Sequence, residues 1–185
     1  MQKRVALIGS GNAFFKDEGI GLYGAKYLKE NYIFSPDVEI VDGGTLGFGL
    51  MPLLQEFDEV LIINTASDDT KKVGEVMIKG TDEFLDGELV KKTANEVEIA
   101  EMLQICSLSS EVANTTVISI VPHDIISVEV GLTSDLLIGW DEYIESSLEY
   151  LKSLGIEIVT KEKMVSLEEV ISIFSNPSIE HQRGF

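Results

Sequence analysis

The sequence predicts a three-layer α/β/α domain with a mainly parallel central sheet. Short apolar runs typical of buried strands lie near Arg4, Val38, Val60 and Val117, and segments with the apolar spacing of helices separate them. Strands that alternate with helices form right-handed crossovers and place helices on both faces of a sheet. The length of 185 residues and the hydrophobic content of 44% suit one folded domain with a full core.

The N-terminal stretch carries the most informative pattern. The apolar run from Arg4 to Ile8 predicts a strand buried on both faces. Gly9 and Gly11 then allow a tight backbone turn, and the acidic pair Asp17–Glu18 precedes a helix predicted from about Gly19 to Asn31. Because this turn leaves the C-terminal edge of a parallel strand, it lies where open α/β sheets usually place their sites.

From the residues alone, the acidic pair has a structural and a functional interpretation. Acids at a helix start are favoured by the unpaired N–H groups and the helix dipole, at about 0.3–1 kcal/mol each. A dinucleotide-binding turn is the functional alternative, and two features disfavour it. Phe14 stands where such a turn needs a third glycine, and two acids would repel a pyrophosphate.

The rest of the chain continues the alternation. We predict strands at Val38–Val41, Glu59–Asn64, Val73–Lys79, Val117–Val121 and Ile156–Val159. We predict helices around Leu50–Phe57, from Asn95 to about Leu108, and from the region 132–135 to about Leu154. Within this order, Val73–Lys79 is a candidate for an antiparallel edge strand, and Asp82–Val90 stays ambiguous.

The C-terminal part differs in character from the rest. Ser166-Leu167-Glu168-Glu169 forms a capping-box pattern that predicts a last short helix. The residues from Asn176 to Phe185 have the composition of a mobile tail. We therefore expect a single α/β domain at residues 1–160 and an extension at residues 161–185.

Composition and charge exclude several classes of partner. The chain has 32 acidic and 14 basic residues and a net charge of −18, which disfavours nucleic acid and anionic membrane surfaces. No stretch approaches the roughly 20 apolar residues of a membrane span, and the apolar run at the N-terminus is too short for a signal peptide. The single cysteine, Cys106, sits in an apolar run typical of a core and has no partner for an intrachain disulfide. We expect a cytoplasmic location.

Two glycine–acid blocks occur in a fixed order. The first is Gly9-Ser10-Gly11-Asn12 followed by Asp17-Glu18-Gly19-Ile20-Gly21, and the second is Asp42-Gly43-Gly44-Thr45-Leu46-Gly47. From about Arg4 to about Val159 the chain resembles the maturation endopeptidases of nickel–iron hydrogenases. The resemblance implies a protease that removes a C-terminal peptide from the hydrogenase large subunit after nickel has been inserted. It also implies that the partner is the large-subunit precursor, and that nickel arrives with this substrate, not as a permanent cofactor.

The resemblance further implies a set of site residues. In this family a Glu, an Asp and a His bind metal; Glu18 matches the Glu, whereas Thr65 and Asn95 stand at the positions of the Asp and the His. A hydroxyl and an amide are poor ligands for divalent transition metals, so the implied metal site is weakened. The implied substrate-binding loop consists of Asp17, Asp42, Gly43, Gly44 and Thr45.

Other polar side chains near these positions leave alternatives open. Asp68, Glu96 and Glu98 lie close in sequence to the two altered ligand positions and would form an oxygen-rich site for a harder cation. The competing interpretation makes them solvated surface acids. His123 follows a strand but does not match the family's His, and His181 lies in the extension.

Two functions follow from the blocks and the altered ligands. The first is a maturation endopeptidase in which Glu18 binds nickel or positions the nickel-loaded precursor. The alternative is a non-catalytic relative that binds the precursor as an assembly chaperone, and a small-molecule-binding α/β protein is a third interpretation. We expect Glu18 to lie exposed at the C-terminal edge of the sheet near Thr65 and Asn95. We also expect the protein to bind metal weakly. We expect it to retain recognition of the precursor more readily than proteolysis.

Overall fold

The computed structural model describes residues 3–86, 94–108 and 112–176, with the side chains of residues 86, 94 and 95 excepted. The described strands are β1 (Val5–Ser10), β2 (Tyr32–Ser35), β3 (Val38–Gly44), β4 (Glu59–Thr65), β5 (Val76–Gly80), β6 (Asn114–Ile120) and β7 (Glu157–Thr160). The described helices are α1 (Ile20–Asn31), α2 (Met51–Glu56), α3 (Thr81–Asp86), α4 (Ala94–Cys106), α5 (Ser134–Leu137), α6 (Trp140–Ser153) and α7 (Leu167–Ser175). None of these helices is long and apolar enough to cross a membrane.

A five-stranded sheet forms the middle layer, in the order β3-β1-β4-β6-β5. The neighbours β3, β1, β4 and β6 run parallel, whereas β5 pairs antiparallel with β6 at the edge, as the sequence suggested. Interior strand β1 places Leu7 opposite Ile40 on one side and Leu61 on the other. Because four strands are parallel, the loops that follow them meet at one edge of the sheet.

Helices cover both faces of the sheet and confirm the three-layer prediction. One face packs against α1 and α6, and its buried side chains include Leu7, Leu61, Ile118, Leu28 and Tyr143. The opposite face packs against α2 and α4, and its buried side chains include Ile8, Ile62, Val117, Leu54 and Ile99. Cys106 belongs to this second core as expected, and burial raises the pKa of its thiol.

Glycines allow α1 to start directly against the end of β1. A Cβ atom on Gly21 would fall on the carbonyl oxygens of Ser10 and Ile63. Gly11 has a φ of +148°, and a Cβ atom there would fall on the carbonyl oxygen of Glu18. The close approach of helix and strand therefore depends on Gly21 within the helix, without the third turn glycine of a dinucleotide-binding site.

Two parts of the fold differ from the sequence prediction. Strand β2 was not predicted, and it pairs antiparallel with β7 in a separate two-stranded sheet. The last predicted strand therefore exists but does not extend the central sheet. The long helix predicted to end near Leu154 is interrupted between α5 and α6, where Gly139 lies against the backbone of Gly74 with no room for a Cβ atom.

The C-terminal helix α7 packs on the outer side of α1. Val170 is buried beside Tyr23, and the ring of Phe174 makes an edge contact with that of Tyr23 at 5.1 Å between centroids. The predicted capping box is confirmed, because Ser166 and Glu169 each accept a hydrogen bond from the other's backbone N–H. Residues 177–185, which include the predicted mobile tail and His181, lie outside the described residues, and the division of the chain near residue 160 stays a prediction.

Candidate functional site

A cleft of about 710 Å³ opens at the C-terminal edge of the sheet. The loops after β1, β3, β4 and β6 contribute to its walls, together with the start of α4. Its lining side chains include Glu18, Thr45, Asp68, Glu98, His123 and Asp124. We call it the Glu18 cleft.

Asp17 builds one wall of the Glu18 cleft although its side chain is fully buried. Its carboxylate accepts hydrogen bonds from the backbone N–H groups of His123 at 2.9 Å, Asp124 at 2.9 Å and Thr133 at 2.7 Å. The hydroxyl of Thr133 donates a fourth bond at 2.8 Å. Since these donors lie at both ends of the loop 121–133, Asp17 holds that loop against the turn after β1. This carboxylate therefore positions the loop, and the predicted place of Asp17 in the substrate-binding loop stays a prediction.

Glu18 lies next to Asp17 on the 3-10 turn Lys16–Gly19 and lines the cleft. Glu18 is only 7% exposed to solvent, so the prediction that it lies exposed at the sheet edge was wrong. The burial follows from the turn, which folds back so that the Glu18 carbonyl oxygen accepts a bond from the N–H of Asn12 at 3.2 Å. The two adjacent acids therefore occupy different environments, Asp17 beneath a loop and Glu18 at the cleft.

The predicted loop Asp42–Thr45 is joined to the turn after β1. Gly44 has a φ of +46°, and its carbonyl oxygen accepts bonds from the N–H of Gly11 at 3.0 Å and from the hydroxyl of Ser10 at 3.3 Å. Thr45 lines the Glu18 cleft, whereas Asp42 and Gly44 line a neighbouring cleft and Gly43 is buried. The loop thus borders the candidate site, and its role in binding substrate stays a prediction.

The two altered ligand positions lie at the end of β4 and in the first turn of α4. Thr65 is the last residue of β4, pairs with Ile120 of β6, and is only 3% exposed. It is absent from the described residues that line the Glu18 cleft. Asn95 lies in the first turn of α4, and its side chain is outside the described part of the chain. The proposed metal site at Glu18, Thr65 and Asn95 therefore stays a prediction.

The acids near these positions have separate roles. Glu96 is 3% exposed, and its two carboxylate oxygens accept bonds from the N–H of Ser67 at 2.7 Å and from its hydroxyl at 3.3 Å. The surface interpretation of Glu96 was therefore wrong, because its carboxylate ties α4 to the loop after β4. Asp68 and Glu98 line the Glu18 cleft, and hydrogen bonds from Thr70 hold the pKa of Asp68 below its usual value.

The loop 121–133 brings two further titratable groups to the cleft. His123 Nδ1 lies 2.8 Å from Asp135 Oδ2, and both side chains are about half exposed. Asp124 accepts bonds from the N–H groups of Ile126 at 3.0 Å and Ser127 at 2.9 Å. Hydrogen bonding to Ser127 is the main reason that the pKa of Asp124 is lowered to about 2. The sequence left the position of His123 open, and the structure places it at the cleft.

The cleft is negatively charged, but it is not a preassembled metal centre. Among residues 3–86, 94–108 and 112–176, no group of three or more His, Cys, Asp and Glu side chains is placed to hold a metal ion. The acids that line the cleft nevertheless create a field that attracts cationic groups.

Exposed apolar side chains surround the cleft. They are Phe14, Leu46, Phe48, Ile126 and Val128, with exposed fractions between 42% and 82%. These side chains stand on the loops that follow β1, β3 and β6, and the first and third loops are joined by a bond from the N–H of Glu129 to the carbonyl oxygen of Phe14 at 2.9 Å. We call them the apolar rim. An apolar rim beside a polar cleft is typical of a surface that contacts another protein.

Comparison with known sequences points to one family. A family model described as HycI, hydrogenase maturation protease, matches residues 23–148. The Hydrogenase 2 maturation protease of Escherichia coli strain K12 is 26% identical over 160 residues, which cover 86% of this chain and 97% of that protein. Protein HydD of Wolinella succinogenes is 28% identical over 135 residues, which cover 71% of this chain and 84% of that protein.

Comparison with solved structures agrees. The hydrogenase maturating endopeptidase HybD from Escherichia coli has a TM-score of 0.78 and 25% sequence identity, and the match covers 85% of this chain and 98% of that chain. The [NiFe] hydrogenase maturation protease HybD from Thermococcus kodakarensis has a TM-score of 0.66 and 22% identity, and the match covers 80% of this chain and 99% of that chain. The second match supports the fold alone.

Proposed function

Because the chain belongs to the hydrogenase maturation protease family, we propose that it removes the C-terminal peptide of a nickel–iron hydrogenase large-subunit precursor. The observation that carries this proposal is the position of Glu18 at a cleft of about 710 Å³. The apolar rim supports a protein substrate, because such side chains gain free energy when a partner covers them. A single cysteine, which leaves no intrachain disulfide, supports a cytoplasmic location for this reaction.

Each group at the cleft has a distinct proposed task. The carboxylate of Glu18 contacts the nickel centre that the precursor carries, and so fixes the position of the peptide bond to be cleaved. Asp68 and Glu98 line the same cleft and add negative charge that favours this cationic cargo. Asp17 acts through the loop 121–133, whose position determines where His123 and Asp124 stand.

A non-catalytic role as a precursor-binding chaperone is the second candidate. It is favoured by the hydroxyl at Thr65 and the amide at Asn95, which replace the carboxylate and imidazole that the family resemblance implies. With Glu18 as the one matching ligand, a bound nickel centre would be held more loosely. Misplacement of a reacting group by about 1 Å can slow a reaction on the order of 100-fold.

A cleavage assay separates the two candidates. Nickel-loaded and nickel-free forms of the large-subunit precursor are incubated with the natural protein, with Glu18→Gln, and with the control Glu101→Gln, which removes an exposed charge from α4. We expect the natural protein and the control to shorten the nickel-loaded precursor, as measured by mass spectrometry. We expect Glu18→Gln to cleave about 100-fold more slowly, because the nickel centre loses its charged contact.

The double variant Thr65→Asp/Asn95→His distinguishes the remaining outcomes. Cleavage by this variant alone, with precursor binding by the natural protein, would establish the chaperone role. If the natural protein neither binds nor cleaves the precursor, both candidates are refuted. Because Thr65 is buried, circular dichroism of the double variant serves to verify that its fold is intact.

A further inference from the structure

A second cleft of about 630 Å³ lies beside the Glu18 cleft. Asn12 and Thr45 line both clefts, so the two meet where the turn after β1 contacts the loop after β3. Helix α1, the end of β3 and helix α7 supply the other walls. We call it the α7 cleft.

The lining of the α7 cleft combines apolar side chains with two ammonium groups. Leu22, Ile40 and Phe174 supply apolar surface, while Lys26 and Lys29 stand on neighbouring turns of α1. Lys26 pairs with Glu30 at 3.2 Å. Within the part of the chain that the structure describes, no acidic side chain pairs with the ammonium group of Lys29.

This lining differs from its surroundings in charge. The whole chain carries a net charge of −18, and the neighbouring cleft is lined by Glu18, Asp68, Glu98 and Asp124. Among the described residues that line the α7 cleft, Asp42 is the one acid, and Glu30 pairs with Lys26 from outside the lining, so Lys29 provides the positive charge of the cleft. The pair of clefts therefore offers a negative site for a cation and, next to it, an apolar site with a positive side for an anion.

The wall that α7 contributes lies outside the family match. That match ends at residue 148, whereas α7 spans Leu167–Ser175. Ile173 and Phe174 of α7 line the cleft, and α7 is fixed in place by the packing of Val170 and Phe174 against Tyr23. The cleft is thus shaped partly by a segment that the family model does not include.

We propose that the α7 cleft binds the end of the precursor's C-terminal peptide, with the terminal carboxylate at Lys29. This inference rests on the proposed function. A peptide whose cleavage point lies at Glu18 reaches the α7 cleft by passing over Asn12 and Thr45, which line both clefts. Apolar side chains of the peptide then cover Leu22, Ile40 and Phe174, and the carboxylate gains a favourable interaction that the acidic Glu18 cleft does not offer. Helix α7 thereby helps to select the precursor.

Charge reversal at Lys29 tests the inference. The affinity of the full large-subunit precursor and of the same subunit without its C-terminal peptide is measured for the natural protein and for Lys29→Glu. The control is Lys152→Glu, which makes the same charge change at an exposed position at the end of α6. We expect Lys29→Glu to bind the full precursor about fivefold more weakly at low salt, and the control to bind it as the natural protein does. The shortened subunit should bind all three proteins equally.

The possible results separate this inference from the proposed function. Equal binding of the full precursor by the natural protein and by Lys29→Glu would overturn the inference and leave the proposed function standing. An equal loss of affinity for the full and shortened subunits would also overturn it, since the lysine would then act on the subunit body. Absence of binding between the natural protein and either subunit would refute the proposed function itself.

Discussion

The two walls of the Glu18 cleft are built on the same plan but use different hydrogen-bond donors. In each wall one buried acid fixes a loop while a nearby acid lines the cleft. Asp17 and Glu18 form this pair on the first wall, and Glu96 and Glu98 form it on the second. Asp17 accepts four hydrogen bonds from three residues, and the bonds that Glu96 accepts include two from Ser67.

The difference lies in the donors. Three of the four groups that contact the Asp17 carboxylate are backbone N–H groups, which donate and cannot accept. The groups that contact Glu96 include the hydroxyl of Ser67, which can accept as well as donate a hydrogen bond. The first wall therefore requires a carboxylate at Asp17, whereas an amide could also make the contact with Ser67 on the second wall. Thr65 and Asn95 lie within two residues of Ser67 and Glu96, which form the second wall.

Asp17→Asn gives the largest expected effect. In either orientation the new amide nitrogen faces a backbone N–H group, so at least one buried donor loses its acceptor. We expect the free energy of unfolding to fall by about 3 kcal/mol. Urea denaturation followed by the fluorescence of Trp140 measures this, since Trp140 is the single tryptophan of the chain and is buried. A loss below about 1 kcal/mol would contradict the assigned role of Asp17.

Glu96→Gln is the matched change on the second wall. The amide oxygen can still accept the bond from the N–H of Ser67, and the new amide nitrogen can donate to the hydroxyl oxygen. We expect a loss of about 1 kcal/mol in the same urea experiment, because a charged acceptor is replaced by a neutral one. A loss as large as that of Asp17→Asn would remove the distinction between the walls.

The smallest expected effect concerns the carboxylates of the two cleft loops. Asp124 on the first wall has a pKa of about 2, and Asp68 on the second has a lowered pKa through Thr70. Removal of the hydroxyl donors by Ser127→Ala and Thr70→Val should raise the pKa of the respective carboxyl toward the usual value of about 3.9. NMR titration of the two carboxyl carbons measures both changes, and unchanged midpoints would show that the hydroxyls do not cause the shifts.

The pH dependence of the Asp124 interaction follows from the direction of its shift. The pKa is lower in the folded protein than the usual unfolded value of about 3.9. Its contribution to stability is therefore fully present above that value and is lost as the pH falls toward about 2. Because this side chain is solvent-accessible, we expect the loss to loosen the loop 121–133 locally without global unfolding.

The sequence by itself determined the strands of the central sheet, most of the helices between them and the position of the candidate site at one edge of the sheet. These features depend on local patterns, because short segments contain the whole signal. Such patterns are the apolar runs, the helical spacing and the glycine turns near Gly9 and Gly44. The same is true of the capping box at Ser166 and Glu169. The assignment of Thr65 and Asn95 to ligand positions follows from the family resemblance and stays a prediction.

Only the tertiary structure decided the different roles of the acidic side chains at the cleft. Asp17 and Glu18 are neighbours with similar side chains, and their roles diverge because the loop 121–133, over 100 residues away, folds over Asp17 alone. The pairing of β2 with β7 and the α7 cleft likewise join segments that are distant in sequence. Local patterns cannot specify such contacts, because which distant donors reach a given carboxylate depends on how the whole sheet brings its loops together.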